Sequence, residues 1–262
     1  MVFKFNLKGK NFEYNSARFS DLSISLLFNG TQPDPFGVEK AIAKPYQGNG
    51  LVGDTRLGGS CNFDVIQMIP HCNGTHTECI GHISDQRMHI HEQLKEVMIP
   101  ATLVSINTSH DAGMSGMMIS KEKIKNSLSD ALPGFERAIV IRTRPNEISK
   151  KWNYSSDSPI PFMSKESITF LNEQGVEHLL VDFPSIDRLN DGGRLVAHRE
   201  FWNIEKESHI INNESYLTKT ITELIYVPDD LSDGSYLLNL QIAPFASDAS
   251  PSRPVLFPLV KK

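Results

Sequence analysis

Residues 71–82 carry the densest set of potential metal ligands in the chain, and they read His71-Cys72-Asn73-Gly74-Thr75-His76-Thr77-Glu78-Cys79-Ile80-Gly81-His82. His76 and Glu78 stand two positions apart, so an extended strand would direct both side chains to one face, where they can share a cation. Gly74 permits a turn that lets His71 reach the same point. The alternative is a polar surface turn with His82 half-buried against a backbone carbonyl. The number of ligand groups favours half of a metal site.

The length and charge of the chain limit its class. At 262 residues it is long enough for one large α/β domain, which we prefer to two small ones. Lys and Arg number 26 against 31 Asp and Glu, giving a formal charge of −5 without a long block of either sign. This balance argues against a nucleic-acid partner or a polybasic membrane surface. Because no apolar run could cross a bilayer and the first residues alternate in polarity, we expect a cytoplasmic protein with no membrane partner.

The three cysteines, Cys61, Cys72 and Cys79, lie in one region of the chain. An odd number without a Cys-x-x-Cys pair predicts reduced thiols and argues against a four-thiolate zinc site. Cys72 lies close enough to the histidines to remain a possible soft ligand.

The first third of the chain predicts strands and one long irregular segment. Residues 1–16 alternate in polarity around Gly9, which predicts a hairpin, and residues 21–28 predict a strand. Residues 29–60 show almost no periodicity, so we interpret them as a functional loop or lid over a pocket. A strand over residues 62–69 would end at Pro70 and place the histidine cluster at its end.

The middle of the chain alternates between strand and helix patterns. Apolar strands are predicted at residues 97–106, 138–143 and 176–183. One helix should begin at Ser120 and carry a core stripe of Ile124, Leu128 and Leu132, and a second should run from Ser164 to Gly175. Further strands follow at residues 219–227, 236–242 and 254–259. This order indicates an α/β fold with βαβ units.

The second half of a metal site should come from the ends of other strands, and the candidates are polar residues embedded in otherwise apolar strands. His198 follows Leu195-Val196-Ala197, and Glu223 lies between Ile221 and Leu224. A carboxylate in such surroundings is unfavourable unless it is paired or coordinated. The alternative for Glu223 is an outward-facing position on an alternating strand. His178 and His110 fit structural roles better.

Several of these motifs resemble those of the cyclase family, which includes the bacterial kynurenine formamidases. The run Gly74-Thr75-His76-Thr77-Glu78, with His82 four residues later, resembles the family signature His-x-Gly-Thr-His-x-Asp-x-Pro-x-His. Asp21-Leu22-Ser23, residues 181–198, Thr222-Glu223-Leu224 and residues 248–253 resemble further family motifs. The likeness spans nearly the whole chain.

The resemblance implies a single domain over residues 1–262, with twisted mixed β-sheet layers and flanking helices in a swivelling β/β/α arrangement. It implies two divalent ions, zinc or manganese. His76 and Glu78 would be ligands, with Glu78 bridging both ions, and His198 and Glu223 would complete the second ion. His82 would be the general acid/base, and Glu223 would also assist proton transfer. Partners would be a small-molecule substrate and other copies of the chain, in a homodimer or homotetramer.

The sequence departs from the family signature at three positions. Cys72 holds the place of the first family histidine, with His71 one residue further out, so either side chain could be the first ligand. Glu78 replaces an aspartate, and Ile80 replaces a proline. These changes indicate a divergent branch whose substrate need not be N-formylkynurenine.

We therefore expect a metal-dependent hydrolase of a small amide, formamide or lactone that uses a metal-activated water. Trp152, Trp202 and residues 29–60 would shape the acyl pocket, unless the tryptophans belong to the core or an interface. One alternative is a metal-dependent cyclase or dehydratase. Another is a metal-binding protein that has lost activity.

Overall fold

The computed structural model describes residues 1–108, 117–154 and 159–260. His110 lies outside the described residues. The strands are β1 (Val2–Leu7), β2 (Lys10–Asn15), β3 (Ser20–Asp21), β4 (Ile42–Pro45), β5 (Gln47–Gly48), β6 (Leu51–Val52), β7 (Asp64–Gln67), β8 (His76–Glu78), β9 (Met98–Asn107), β10 (Met117–Ile119), β11 (Ala138–Arg144), β12 (Pro161–Met163), β13 (His178–Val181), β14 (Thr220–Glu223), β15 (Gly234–Asn239), β16 (Ala249–Pro251) and β17 (Val255–Pro258). The helices are α1 (Pro70–Asn73), α2 (Ile90–Gln93), α3 (Lys121–Ser127), α4 (Lys165–Glu173) and α5 (Val196–Trp202), with short 3-10 turns at Thr55–Leu57, Ile80–His82 and Ile148–Lys151.

The described residues form one mixed sheet of nine strands, in the order β16-β8-β14-β13-β11-β9-β15-β17-β3. The four central strands, β14, β13, β11 and β9, are parallel to one another. The remaining pairings in this sheet are antiparallel. Helices α3, α4 and α5 lie in the connections between successive parallel strands, as such crossovers require. The α/β class with a mixed sheet and flanking helices is confirmed.

The sheet curls so that its two ends approach each other. Ser23, just after edge strand β3, forms an isolated bridge with Ile225, just after β14. The Tyr226 amide also donates a hydrogen bond to the Leu22 carbonyl at 2.7 Å. No helix within the described ranges is both long and apolar enough to span a membrane.

Both faces of β11 and β13 are buried, in agreement with the apolar runs at residues 138–141 and 179–181. On β11, Ile139 and Ile141 join the cluster that packs beneath the helices, whereas Ala138 and Val140 join the cluster on the opposite face. Trp202 on α5 is the largest fully buried side chain. The alternation therefore fixes which strand residues face the helices.

The helix predicted from Ser120 is shorter than its apolar stripe suggested. The Ser120 hydroxyl accepts from the Lys123 amide, and Ile124 is buried, as expected. The helix nevertheless ends at Ser127, and Leu132 is exposed. Residues 129–130 are Ser-Asp, which compete for backbone hydrogen bonds and favour turns.

Three predictions for the first third of the chain were wrong in extent. Only the two-residue strand β3 overlaps the strand predicted over residues 21–28, at Asp21. The Asp21 carboxylate accepts a hydrogen bond from the Ser23 amide at 2.9 Å, and this turns the chain. The segment 29–60 contains β4, β5 and β6, and it is braced by the Gln32 side chain, which bonds the Ala41 backbone. The strand predicted over 62–69 is β7, which pairs with β4 outside the main sheet.

The hairpin expected over residues 1–16 is formed by β1 and β2, which pair in antiparallel register from Val2 opposite Asn15. Its inner aromatic residues contact the main body: Phe12 packs on Phe135 with ring centroids 5.0 Å apart. Phe3, on the outer strand, remains 41% exposed.

Candidate metal centre

Two neighbouring strands place three of the expected ligands on one face. In the antiparallel pairing of β8 with β14, His76 lies opposite Glu223 and Glu78 lies opposite Ile221. Because side chains alternate along a strand, His76, Glu78 and Glu223 share a face. Thr77 and Thr222 point the other way, and their hydroxyls are 2.8 Å apart. All three ligand candidates are buried, which excludes the outward-facing alternative for Glu223.

His198 comes from a helix and not from a strand, which corrects the sequence prediction. It lies in the first turn of α5, where the Asp187 carboxylate accepts hydrogen bonds from the Ala197 and His198 amides at 2.7 and 3.1 Å. Asp187 thus satisfies amides that a helix N-terminus leaves unpaired. A short apolar run such as residues 195–197 does not distinguish strand from helix.

Asp187 also fixes the orientation of the His198 ring. Its carboxylate lies 2.6 Å from His198 Nδ1, so Nε2 points toward the other ligands. Nε2 is 2.9 Å from Glu78 Oε1 and 3.7 Å from Glu223 Oε1. We name His76, Glu78, His198 and Glu223 the inner centre.

A helical turn carries His71 to the cluster of potential ligands. Pro70 begins α1, and this turn carries His71 toward the site, with Nε2 3.4 Å from Glu78 Oε2. Among the described residues, Cys72 joins none of the clusters able to hold an ion. Burial, together with the Glu223 and Asp34 carboxylates, raises the pKa of Cys72 to about 11, so its thiol stays protonated at neutral pH. His71 is therefore better placed than Cys72 to be the first ligand of an ion.

His82 and Asp248 lie at the mouth of the site. The His82 and Asp248 side chains are 27% and 18% exposed, whereas that of Glu78 is 1% exposed. His82 Nδ1 lies 3.7 Å from Glu78 Oε2 and 3.5 Å from Asp248 Oδ2. Our sequence reasoning did not assign Asp248 or Asp187 to the site, although both lie in motifs that carried the family resemblance.

Two non-glycine residues with left-handed backbones flank the ligand-bearing elements. Leu224, directly after Glu223, has φ 55°, and Leu195, directly before α5, has φ 47°. Such conformations are unfavourable by about 1–3 kcal/mol each and persist where surrounding contacts impose them. Around Leu224 these contacts include the Thr75 hydroxyl, which donates to the Leu224 carbonyl.

The charge of the cluster is strongly negative when its histidines are neutral. Within the described residues, the Glu78, Asp187, Glu223 and Asp248 carboxylates form ion pairs only with histidines. Burial would raise the pKa of Glu78, but the surrounding imidazoles hold it well below its usual range. Burial would lower the pKa of His198, but the Glu78 and Asp187 carboxylates raise it well above its usual range. A bound cation would compensate the negative charge of the carboxylates in the same way as protons on the histidines do.

Unpaired buried atoms indicate that the cluster suits a cation. His71 Nε2, His76 Nε2 and Glu78 Oε2 are buried without a hydrogen-bond partner. Buried polar atoms are normally satisfied, so these three need an explanation. Three overlapping groups have ligand atoms within 4.8 Å of one another, namely His71-His82-Asp248, Glu78-His82-His198 and His76-Glu78-Glu223. Imidazole nitrogens and carboxylate oxygens are donors for divalent ions such as zinc and manganese.

The remaining candidates lie away from the ligand atoms. His178 is buried on β13, where its Nδ1 lies 2.8 Å from the Thr220 hydroxyl and burial lowers its pKa to about 4. Trp202 belongs to the core behind the site, with its ring 5.5 Å from that of His198. Trp152 is exposed and lines a cavity of about 540 Å³ with Leu27 and Lys151.

Comparison with known proteins identifies the family. Residues 20–188, more than half of the chain, match the Cyclase family, described as "Putative cyclase". This chain belongs to that family. His198, Glu223 and Asp248 lie beyond the matched range, so their place in the site is known here from the structure.

Curated relatives and solved structures agree with this membership. A kynurenine formamidase of Bacillus cytotoxicus is 28% identical over 203 residues, covering 77% of this chain and 82% of the relative. That of Bacillus mycoides is 27% identical with the same coverage. A predicted metal-dependent hydrolase from Bacillus stearothermophilus superposes with a TM-score of 0.62 at 15% identity, covering 92% of this chain and 98% of the other. Isatin hydrolase A from Labrenzia aggregata gives the same TM-score and identity, covering 92% and 93%. These structures confirm the fold.

Proposed function

We propose that this protein is a metal-dependent hydrolase that cleaves the C–N bond of a small amide or formamide, or the acyl bond of a lactone. The observation that carries the proposal is the burial of His76, Glu78, His198 and Glu223 in two groups of ligand atoms that share Glu78, with buried ligand atoms that lack a hydrogen bond. The kynurenine formamidase relatives support the amide substrate class.

We assign the inner centre to one divalent ion, zinc or manganese. His76 Nε2 lies 3.6 Å from Glu223 Oε2, and His198 Nε2 lies 2.9 Å from Glu78 Oε1. Glu78 Oε2 faces away from His198 and toward His71 at 3.4 Å. We therefore propose that His71 and Glu78 would contribute to holding a second ion.

The metal ions would lower the pKa of a bound water from about 15.7 to about 7 and polarise the scissile carbonyl. Side chains of the protein would carry out the proton transfers. His82, partly exposed beside Glu78, is placed to transfer a proton to the departing amine or alkoxide. Glu223 is placed to assist proton transfer from the buried side, where its Oε1 also accepts the Ile186 amide hydrogen bond at 2.8 Å.

We propose that the substrate enters on the side of His71, His82 and Asp248, because these are the partly exposed members of the cluster. The Asn29 to Asp64 region forms a groove of about 530 Å³ together with Leu26–Phe28. Leu26 lies 3.9 Å from the point where a Cβ would sit on Gly74. This proximity supports a role for the groove in holding the part of the substrate that does not react.

The direct test is turnover of N-formyl aromatic amines by purified protein reconstituted with zinc or manganese. Release of formate, abolished by a chelator and restored by metal, is the expected result. A metal-loaded protein that releases no formate but dehydrates a β-hydroxy carbonyl compound would instead identify a lyase. Metal binding without turnover of either class, or of simple lactones, would favour a protein that has lost activity.

We also propose that the protein forms a homodimer or homotetramer. The support is apolar surface left exposed on the N-terminal hairpin and beside it, at Val2, Phe3 and Phe19. Light scattering should report two or four chains per particle, and a monomer at micromolar concentration would contradict this proposal.

A further inference from the structure

The mouth of the site contains a second convergence of ligand atoms that the inner centre does not use. Asp248 Oδ2 lies 2.9 Å from His71 Nε2 and 3.5 Å from His82 Nδ1. Glu78 Oε2 lies 3.4 Å from the same His71 nitrogen and 3.7 Å from the same His82 nitrogen. We name His71, Glu78 Oε2 and Asp248 the outer site, with His82 beside it.

Two of these separations, 3.4 Å between His71 Nε2 and Glu78 Oε2 and 3.5 Å between Asp248 Oδ2 and His82 Nδ1, are close to those around a tetrahedral ion, whereas 2.9 Å between His71 Nε2 and Asp248 Oδ2 is shorter. Ligand atoms at about 2.0–2.1 Å from zinc, at tetrahedral angles, lie about 3.3–3.4 Å from one another. His71 Nε2 and Glu78 Oε2 are buried and lack a hydrogen-bond partner of good geometry, although His71 Nε2 lies 2.9 Å from Asp248 Oδ2. Glu78 is itself almost fully buried, so its free oxygen points into the outer site without solvent to satisfy it.

The backbone holds Asp248 in this position. The Cys79 amide donates to the Asp248 carbonyl at 3.0 Å, and the next residue, Ala249, lies opposite Glu78 in the pairing of β16 with β8. A Cβ on Gly81 would come within 3.1 Å of the Asp248 Cβ and 2.3 Å of the Met88 carbonyl oxygen. Gly81 is therefore required for the close approach that brings Asp248 to His71 and His82.

We place His76 in the inner centre. Its Nδ1 lies 3.0 Å from the Gly74 carbonyl oxygen, and its Nε2 is directed to Glu223. An ion on the His71 side of Glu78 consequently needs another protein donor, and Asp248 is the carboxylate in reach.

We propose that Asp248 is a metal ligand that binds the outer ion together with His71 and Glu78, leaving His82 free for proton transfer. This inference rests on the proposed metal-dependent function. Three protein ligands leave a fourth position open, as in catalytic zinc sites, whereas four protein ligands close the inner centre. The inner ion should then be held tightly and the outer ion less tightly.

The test compares metal content and affinity in the wild type and in Asp248→Asn. The proteins are loaded with zinc, dialysed, analysed by mass spectrometry for zinc per chain, and titrated against a competing chelator. We expect two ions per chain in the wild type and one in Asp248→Asn, with the affinity for the weaker ion lowered by at least about 100-fold. Asp85→Asn, which removes an exposed carboxylate near His82, is the matched control and should keep both ions.

A second variant separates ligation from structural support. Asp248→His restores a donor, so it should recover part of the affinity for the weaker ion, whereas Asp248→Asn does not. Two ions bound to Asp248→Asn with wild-type affinity would overturn the inference and leave the proposed function standing, with Asp248 merely pairing with the two imidazoles. Equal loss in the Asn and His variants would also overturn it. A wild-type protein that binds no divalent ion would overturn the inference and the proposed function together.

Discussion

The inner centre and the outer site share Glu78 but are built in different ways. The side chains of the inner centre come from adjacent strands and from the capped first turn of a helix, and they are buried. In the outer site, His71 comes from the short helix α1 and Asp248 from the chain just before β16, and both side chains are partly exposed. Strand register thus positions the buried part of the cluster, and loops position the part that is open to solvent.

The largest loss of metal and activity is expected at Glu78, which the inner centre and the outer site share. Glu78→Gln keeps the size of the side chain but removes the charge that faces both His198 and His71. Both ions should be lost, and activity should fall by at least about 10³-fold, because the water and the carbonyl lose their activating charge. Metal analysis and steady-state kinetics check this. A variant that keeps one ion at wild-type affinity would show that the carboxylate is not shared.

A smaller loss, confined to the outer side, is expected for His82→Ala. The rate constant kcat should fall by about 10²–10⁴-fold, since a general acid/base contributes that much, while both ions remain bound. Comparing kcat with metal content separates proton transfer from ligation. Unchanged turnover would remove His82 from the mechanism, and loss of an ion would make it a ligand.

Asp187→Asn should weaken the binding of the inner ion alone. The single oxygen of an Asn side chain can still accept from one amide of α5, but the side chain no longer stabilises His198 as the Asp187 carboxylate does at 2.6 Å. Inner-ion affinity should fall by about 10–100-fold in a chelator competition, with the outer ion little changed. Asp191→Asn is the control, since Asp191 also accepts backbone hydrogen bonds before α5, from Gly193 and Leu195. Equal effects from both variants would mean that Asp187 acts only through the backbone.

The smallest effect, a loss of stability alone, is expected for a substitution on the opposite face of β8 and β14. Thr222→Val removes the hydroxyl that lies 2.8 Å from that of Thr77 and leaves the latter unpaired in the interior. The free energy of unfolding should fall by about 1–3 kcal/mol in urea denaturation, without change in metal content. Loss of metal in this variant would show that strand packing, and not only the ligand face, sets the inner geometry.

The difference between the inner centre and the outer site explains which site residues could be predicted from the sequence. The period of two placed His76 and Glu78 on one face, and an acidic residue in an apolar run identified Glu223, because strand alternation is a local signal. The helical position of His198 could not be predicted, since it depends on Asp187, eleven residues earlier, capping α5. Asp248 reaches the site through the pairing of β16 with β8, which joins segments about 170 residues apart and leaves no local pattern.

The short strands in residues 29–60 were also not predictable from the sequence. Its low periodicity predicted an irregular loop, yet side-chain hydrogen bonds from Gln32 and Asn29 to the chain near Ala41 and Ala43 organise it into short strands. Such bonds replace the hydrophobic pattern that sequence reasoning relies on.

Diffraction from crystals of the zinc-loaded protein, collected above and below the zinc absorption edge, would show where the ions bind. We expect two anomalous peaks on either side of the Glu78 carboxylate, one among His76, His198 and Glu223 and one beside His71. A single peak remote from Glu78, or no peak at all in active protein, would contradict this expectation.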